Sequence, residues 1–211
     1  MTIPSGSEGT AGGGQGPHAS EERAIQADSS GAPSGSEGIV ARTTGAVDTR
    51  ALAGAVAGLV RPGDVLLLVG GLGAGKTTFA QGFAAHLGVE GPVTSPTFTL
   101  VRQYPCSVGQ LLHADLYRLE RLAEVADLAL SELLESDADG AVALVEWGDG
   151  GAAVFGPGAL TVALARPVDG DDDVRTVTVT GGGAVWAGRW ASLADALASW
   201  TARRNGTVGN R

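Results

Sequence analysis

The chain has 211 residues, a net charge of −9 and a pI near 4.7, a length that suits one domain plus a tail. Its acidic balance repels a phosphate backbone over most of the surface and disfavours direct nucleic-acid binding as the main role. A single cysteine, Cys106, excludes a disulfide framework within the chain, and no apolar run reaches the ~18 residues of a membrane span.

The N-terminus lacks a basic stretch followed by an apolar one, so no secretory signal is read there and a soluble cytoplasmic protein is expected. Residues 1–38 are half Gly, Ser or Pro and contain no Leu and no aromatic residue. Such a segment cannot bury enough apolar area to offset its ordering entropy, so a disordered tail is expected. The hexapeptide Pro-Ser-Gly-Ser-Glu-Gly occurs at 4–9 and 33–38, a low-complexity feature too short to share a core. The globular domain is expected over 39–204, with a flexible end over 205–211.

In chain order, Ile39 to Thr44 reads as a first strand. Val47 to Val60 carries Leu52, Val56, Leu59 and Val60 at helical spacing, and Pro62-Gly63-Asp64 ends it. The apolar run 65–69 is a buried strand, and 77–87 an amphipathic helix closed by Gly88. Strands are expected over 97–104 and 111–115, a helix over 120–135, and a buried strand over 141–145 that ends at Glu146-Trp147. Leu160 to Ala165 and Val174 to Val179 flank an Asp/Gly turn as a hairpin. Trp190, Leu193, Leu197 and Trp200 mark one face of a last helix. Strands alternating with helices predict an α/β fold: a P-loop NTPase-like mixed, largely parallel sheet flanked by helices, with a C-terminal hairpin and final helix.

Between the strand 65–69 and the helix 77–87 lies Gly70-Gly71-Leu72-Gly73-Ala74-Gly75-Lys76-Thr77, which fits GxxxxGK(S/T). Glycines let backbone N–H groups converge on one anion, and the helix N-terminus adds its dipole. Lys76 would bring a positive charge to the β and γ phosphates, and the Thr77 hydroxyl would ligate Mg²⁺. A glycine-rich turn in a glycine-rich chain is the bland alternative. Composition does not account for Gly-Lys-Thr at the mouth of a helix.

Hydrolysis also needs a carboxylate near the metal. The segments 111–115 and 141–146 each run apolar residues into an acid, Asp115 and Glu146. If both strands lie parallel to 65–69, both acids reach the sheet edge where the glycine loop sits. Either acid could instead be a solvated strand end. Val93-Thr94-Ser95-Pro96-Thr97-Phe98-Thr99 gathers hydroxyls around a proline, and Ser95 and Thr97 are candidates to meet Mg²⁺ or the γ phosphate. His113 shares a strand face with Asp115; a buried, hydrogen-bonded histidine is the commoner outcome than a His-x-Asp metal pair. Trp147 could shield the site or pack ordinarily. Arg118 could reach a phosphate or pair with an acid. No Asn-Lys-x-Asp motif is present, which leaves adenine favoured over guanine.

Four blocks together, Gly70 to Thr78, Thr94 to Val101, His113 to Leu119 and Glu146-Trp147, closely resemble the TsaE family, the bacterial ATPases of tRNA threonylcarbamoyladenosine synthesis. The resemblance covers roughly 45–150. It implies a small cytoplasmic ATPase that works with TsaB and TsaD, which transfer a threonylcarbamoyl group to adenosine 37 of ANN-decoding tRNAs. The tRNA would be met only indirectly, and no membrane is involved. By the same resemblance Gly73, Ala74, Gly75, Lys76, Thr77 and Thr78 would wrap the phosphates of ATP. Thr77 and Glu146 would hold Mg²⁺, with Asp115 in the same metal region. Ser95 to Thr97 would be switch-like, and Trp147 would lie near the nucleotide or a partner; Thr43 and Thr44 are a further guess for the adenine pocket. Lys76, Asp115 and Glu146 are thus the expected catalytic set. One departure is Gly71, where the family usually has an acid. The rival readings are a small-molecule P-loop kinase, for which no arginine-rich lid is seen, and a non-hydrolysing nucleotide-gated adaptor.

Overall fold

The computed structural model describes residues 38–96, 101–115, 132, 134, 140–147, 157–167 and 171–202. The tail expected over 1–38 (Gly38 aside) and the end expected over 205–211 lie outside the described residues. So does most of the helix expected over 120–135, of which Glu132 and Leu134 are helical.

Five consecutive apolar residues form β2 (Val65–Val69) in the middle of a seven-stranded sheet. Its neighbours are β5 (Ala141–Trp147) on one side and β6 (Leu160–Ala165) on the other, both parallel to it. Beyond β5 lies β4 (Gly109–Asp115), also parallel, and then β3 (Val101–Cys106), antiparallel, at the edge. Beyond β6 lie β7 (Arg175–Gly181) and β1 (Ile39–Thr43), each antiparallel to its neighbour. The four parallel strands read as near-continuous apolar runs because both faces are covered. Leu66, Leu68, Val142 and Leu144 enter the core on one face, and Leu67, Leu112, Ala143 and Val145 the core on the other.

The first face carries α1 (Ala46–Ala57) and α2 (Lys76–His86). Their backbones approach closely at Gly82, where a Cβ would stand 2.4 Å from the Arg50 carbonyl oxygen. The last elements among the described residues are a short helix, α3 (Gly183–Ala187), and α4 (Trp190–Thr201). As expected, Leu193 and Leu197 are buried and Trp190 and Trp200 pack against the same core. Trp200 Nε1 also donates to Asp48 of α1 at 2.7 Å.

The hairpin read from the sequence is β6–β7, in register from Leu160 opposite Gly181 to Ala165 opposite Thr176. Three differences are physical. The first helix stops at Ala57, not Val60, because the chain tightens into three-residue turns, with the Leu59 and Val60 amides donating to the Val56 and Ala57 carbonyls ahead of Pro62. The strand expected to close at Tyr104 runs on to Cys106, since Pro105 lacks a donor but sits on an edge strand. Strand β4 starts two residues earlier than expected, at Gly109, because a Ser107-Val108 turn folds it back on β3.

Candidate functional site

Strand β2 delivers the chain into the glycine loop 70–75. Gly70 has φ +148°, and a Cβ there would stand 2.3 Å from the Leu164 carbonyl oxygen of β6, so no other residue fits without moving the sheet. Ala74 N–H donates to the Gly71 carbonyl at 3.2 Å, closing the loop on itself. Gly75, left-handed at φ +106°, caps α2 with no side-chain hydrogen bond. The first turn of α2 thus starts with backbone donors that no capping side chain takes, and this is where helices attract anions. Lys76 arches back over the loop, its Nζ donating to the carbonyls of Gly70 at 2.6 Å and Gly71 at 3.2 Å. Thr77 and Thr78 follow in the same turn, both half-buried. Around Gly71 itself a side chain would meet nothing within 4 Å, so packing does not require a glycine there.

The parallel pairing carries two acids to this same end of the sheet. Asp115 of β4 stands opposite Glu146 of β5, which stands opposite Leu68 near the end of β2. Glu146 is 3% exposed, and its carboxylate oxygens lie 3.4 and 3.5 Å from the Thr77 hydroxyl. That separation is long for a hydroxyl–carboxylate bond, which prefers about 2.5–3.0 Å. Asp115 accepts from Ser95 Oγ at 2.7 Å, which ties the hydroxyl-rich segment to the end of β4. Nearby, Arg102 of β3 donates to Thr94 at 2.9 Å.

His113, fully buried, places Nε2 2.9 Å from Glu146 Oε1, while its Nδ1 has no partner among the described residues. The histidine therefore supports the carboxylate instead of pairing with Asp115 around a metal. Among the described residues no group of three or more His, Cys, Asp or Glu side chains could hold a metal ion. A hydroxyl and a carboxylate are nevertheless hard oxygen donors of the kind that, joined by ligand phosphates and water, suit a small divalent cation.

Thr97 lies outside the described residues, as do Arg118 and the Trp147 side chain; the Trp147 backbone ends β5 opposite Val69. Thr43 is fully buried with its hydroxyl 2.8 Å from that of Thr49. The Thr44 amide and hydroxyl donate to Asp48, so both threonines serve the start of α1. Burial pushes the Cys106 thiol up, at the far end of the β3–β4 hairpin from Asp115.

Sequence reasoning missed two arginines. Arg175, first residue of β7, donates from Nε to the Ala74 carbonyl at 2.9 Å and from Nη2 to that of Gly73 at 3.4 Å. Arg166, just past β6, sets Nη2 3.2 Å from where a Cβ on Gly73 would be. The only signal was their symmetric position about the hairpin turn, one step beyond the last paired residues.

The family model described as "Threonylcarbamoyl adenosine biosynthesis protein TsaE" matches residues 43–173. The chain belongs to the TsaE family. A Streptomyces coelicolor relative named tRNA threonylcarbamoyladenosine biosynthesis protein TsaE is 45% identical over 143 residues, covering 65% of this chain and 93% of that protein. A Bacillus subtilis protein of the same name is 47% identical over 106 residues, covering 50% of this chain and 64% of that protein. The crystal structure of Bacillus subtilis YdiB is similar in fold, with a TM-score of 0.56 at 33% identity, over 77% of this chain and 95% of that one. The TsaE match begins at the end of β1 and runs to the turn before β7, so it contains the glycine loop and both strand-end acids.

Proposed function

We propose that this TsaE-family protein binds and hydrolyses ATP with Mg²⁺ in support of the complex that makes threonylcarbamoyladenosine in tRNA. TsaB and TsaD are the expected partners, and the transfer itself belongs to them. The names of the relatives support the pathway. The observation that carries the chemistry is the meeting of Thr77, on the first turn of α2, with the buried Glu146 carboxylate, beside a loop spanned by Lys76.

The loop amides would bind and orient the triphosphate from a loop that is already folded, and Lys76 would exchange its bonds to the Gly70 and Gly71 carbonyls for the phosphates. Thr77 and Glu146 would hold Mg²⁺, with Asp115 in the same region, and the cation would supply charge neutralisation along the β and γ phosphates. Asp115 and Ser95 would link the state of the phosphate end to the segment after Pro96. That link alters partner affinity only if a partner binds the two states differently.

Titration of the full chain with ATP and Mg²⁺, followed by phosphate release with and without purified TsaB–TsaD, tests the reading. ATP binding, slow release alone and faster release with partners are expected. A Lys76→Ala protein that binds and hydrolyses normally would end the site assignment, and binding with no release under any condition would make the protein a nucleotide-gated adaptor.

A further inference from the structure

The β6–β7 hairpin brings two guanidinium groups against the glycine loop, and neither is in the GxxxxGK(S/T) stretch. Continuing the strand register by one step sets Arg166 across from Arg175. Like charges directly opposite one another on a sheet destabilise it. Neither arginine has a carboxylate within ion-pair distance among the described residues. Two cations without an ion-pair partner among the described residues therefore converge at Gly73, where Arg166 nearly touches the position of a Cβ and Arg175 binds the carbonyl.

We propose that Arg175, with Arg166 beside it, is a positioning residue that sets the loop for a polyphosphate; this rests on the nucleotide reading above. The peptide unit is planar and trans, so its C=O and N–H point in opposite directions. Arg175 draws the Ala74 carbonyl outward at 2.9 Å, which turns the Gly75 N–H to the other side, into the loop. The guanidinium is itself fixed by its remaining donors, with Nη1 on the carbonyls of Asp172 at 2.6 Å and Val174 at 2.7 Å. The loop is thus braced from β7, about a hundred residues away in sequence, by a planar fork that a lysine cannot copy. The two positive charges also favour an anion in the loop without touching it.

The experiment measures ATP, ADP and inorganic tripolyphosphate affinity by calorimetry for the full chain and for Arg175→Ala, Arg175→Lys and Arg166→Ala, with melting temperature recorded for each. Arg175→Ala is expected to weaken all three ligands about tenfold. Arg175→Lys should keep the charge and the fold yet bind ATP several-fold more weakly than wild type, roughly midway to Arg175→Ala. Arg166→Ala, at an exposed position, should cost about two- to threefold with an unchanged melting temperature. Wild-type affinity in Arg175→Lys and Arg166→Ala overturns the proposal, even if Arg175→Ala fails to fold. A wild-type chain that binds none of the three ligands overturns the nucleotide reading as well, so the two failures are told apart.

Discussion

His113 of β4 donates from Nε2 to Oε1 of Glu146 on the neighbouring strand across 2.9 Å, with both side chains buried. A carboxylate oxygen accepts, so Nε2 is the donor of this bond, and Nδ1 is a buried nitrogen with no partner among the described residues. Burying an unpaired polar atom costs about 1–3 kcal/mol. The arrangement thus spends stability to fix the rotamer of one acid. In His113→Leu the lost bond to Glu146 and the removed orphan nitrogen oppose each other, so the melting temperature should move little. If Glu146 holds Mg²⁺ as proposed, ATP hydrolysis should fall about 10–100-fold, the usual effect of removing a residue that orients a metal-binding side chain. A His113→Leu protein with wild-type turnover would show that Glu146 needs no such support.

Glu146→Gln tests the acid itself. The amide keeps the volume and can still face Thr77 and His113, so folding and metal-free nucleotide binding should persist. The negative charge is lost, and phosphate release should fall by about a hundredfold or more. Stopped phosphate release with retained ATP binding, read by calorimetry and a phosphate assay on one preparation, is the expected pair of results. Equal loss of both would mean that Glu146 is a structural residue.

Much of this geometry was legible in the sequence for a definite reason. A strand buried on both faces is mostly apolar, so an acid directly after an apolar run marks the approach to its end: Asp115 closes β4, and Glu146, still buried, stands one residue before the end of β5. The glycine pattern places α2, and the order of elements then places both acids on the same sheet edge. What could not be read depended on contacts between distant segments. Arg175 reaches Ala74 only because β7 lies beside β6, and β1 joins the sheet only through β7. His113 lies on the acid's own face, but its bond to Glu146 follows from the β4–β5 register. Arg189 meets Asp64 across 125 positions, with no local pattern to announce it.

Gly82→Ala asks whether propensity or packing controls the α1–α2 contact. Alanine is favoured over glycine in a helix by about 1 kcal/mol. Here, however, the new Cβ would stand 2.4, 2.5 and 2.8 Å from the O, Cα and C of Arg50. These are backbone atoms that cannot swing aside, so α1 must shift, at a cost of about 1–3 kcal/mol for overpacking. The clash should win, and thermal melting should show a destabilised protein. A melting temperature above wild type would mean that the helices separate more cheaply than the packing implies.

Arg189 and Asp64 form a buried bidentate ion pair, with Nη1 and Nη2 on the two carboxylate oxygens at 2.6 and 2.8 Å. The same guanidinium donates to the carbonyls of Leu59 and Val185 and lies 4.0 Å from the Trp186 ring centre. It therefore ties the C-terminal helices to the turn that launches β2. Removing one partner of a buried pair costs about 3–5 kcal/mol, because the other charge stays buried and alone. For a domain of this size each kcal/mol is worth about 2–4 °C, so Arg189→Met should lower the melting temperature by roughly 6–20 °C. The double variant Asp64→Leu with Arg189→Met removes both charges and should recover part of that loss. Recovery would stay incomplete, because the Arg61 amide, which now donates to Asp64 at 2.8 Å, and the Leu59 and Val185 carbonyls would lose their partners. If Arg189→Met melted within about 2 °C of wild type, less than 1 kcal/mol by the same scale, the pair would be a passive contact and the hold on β2 would lie elsewhere.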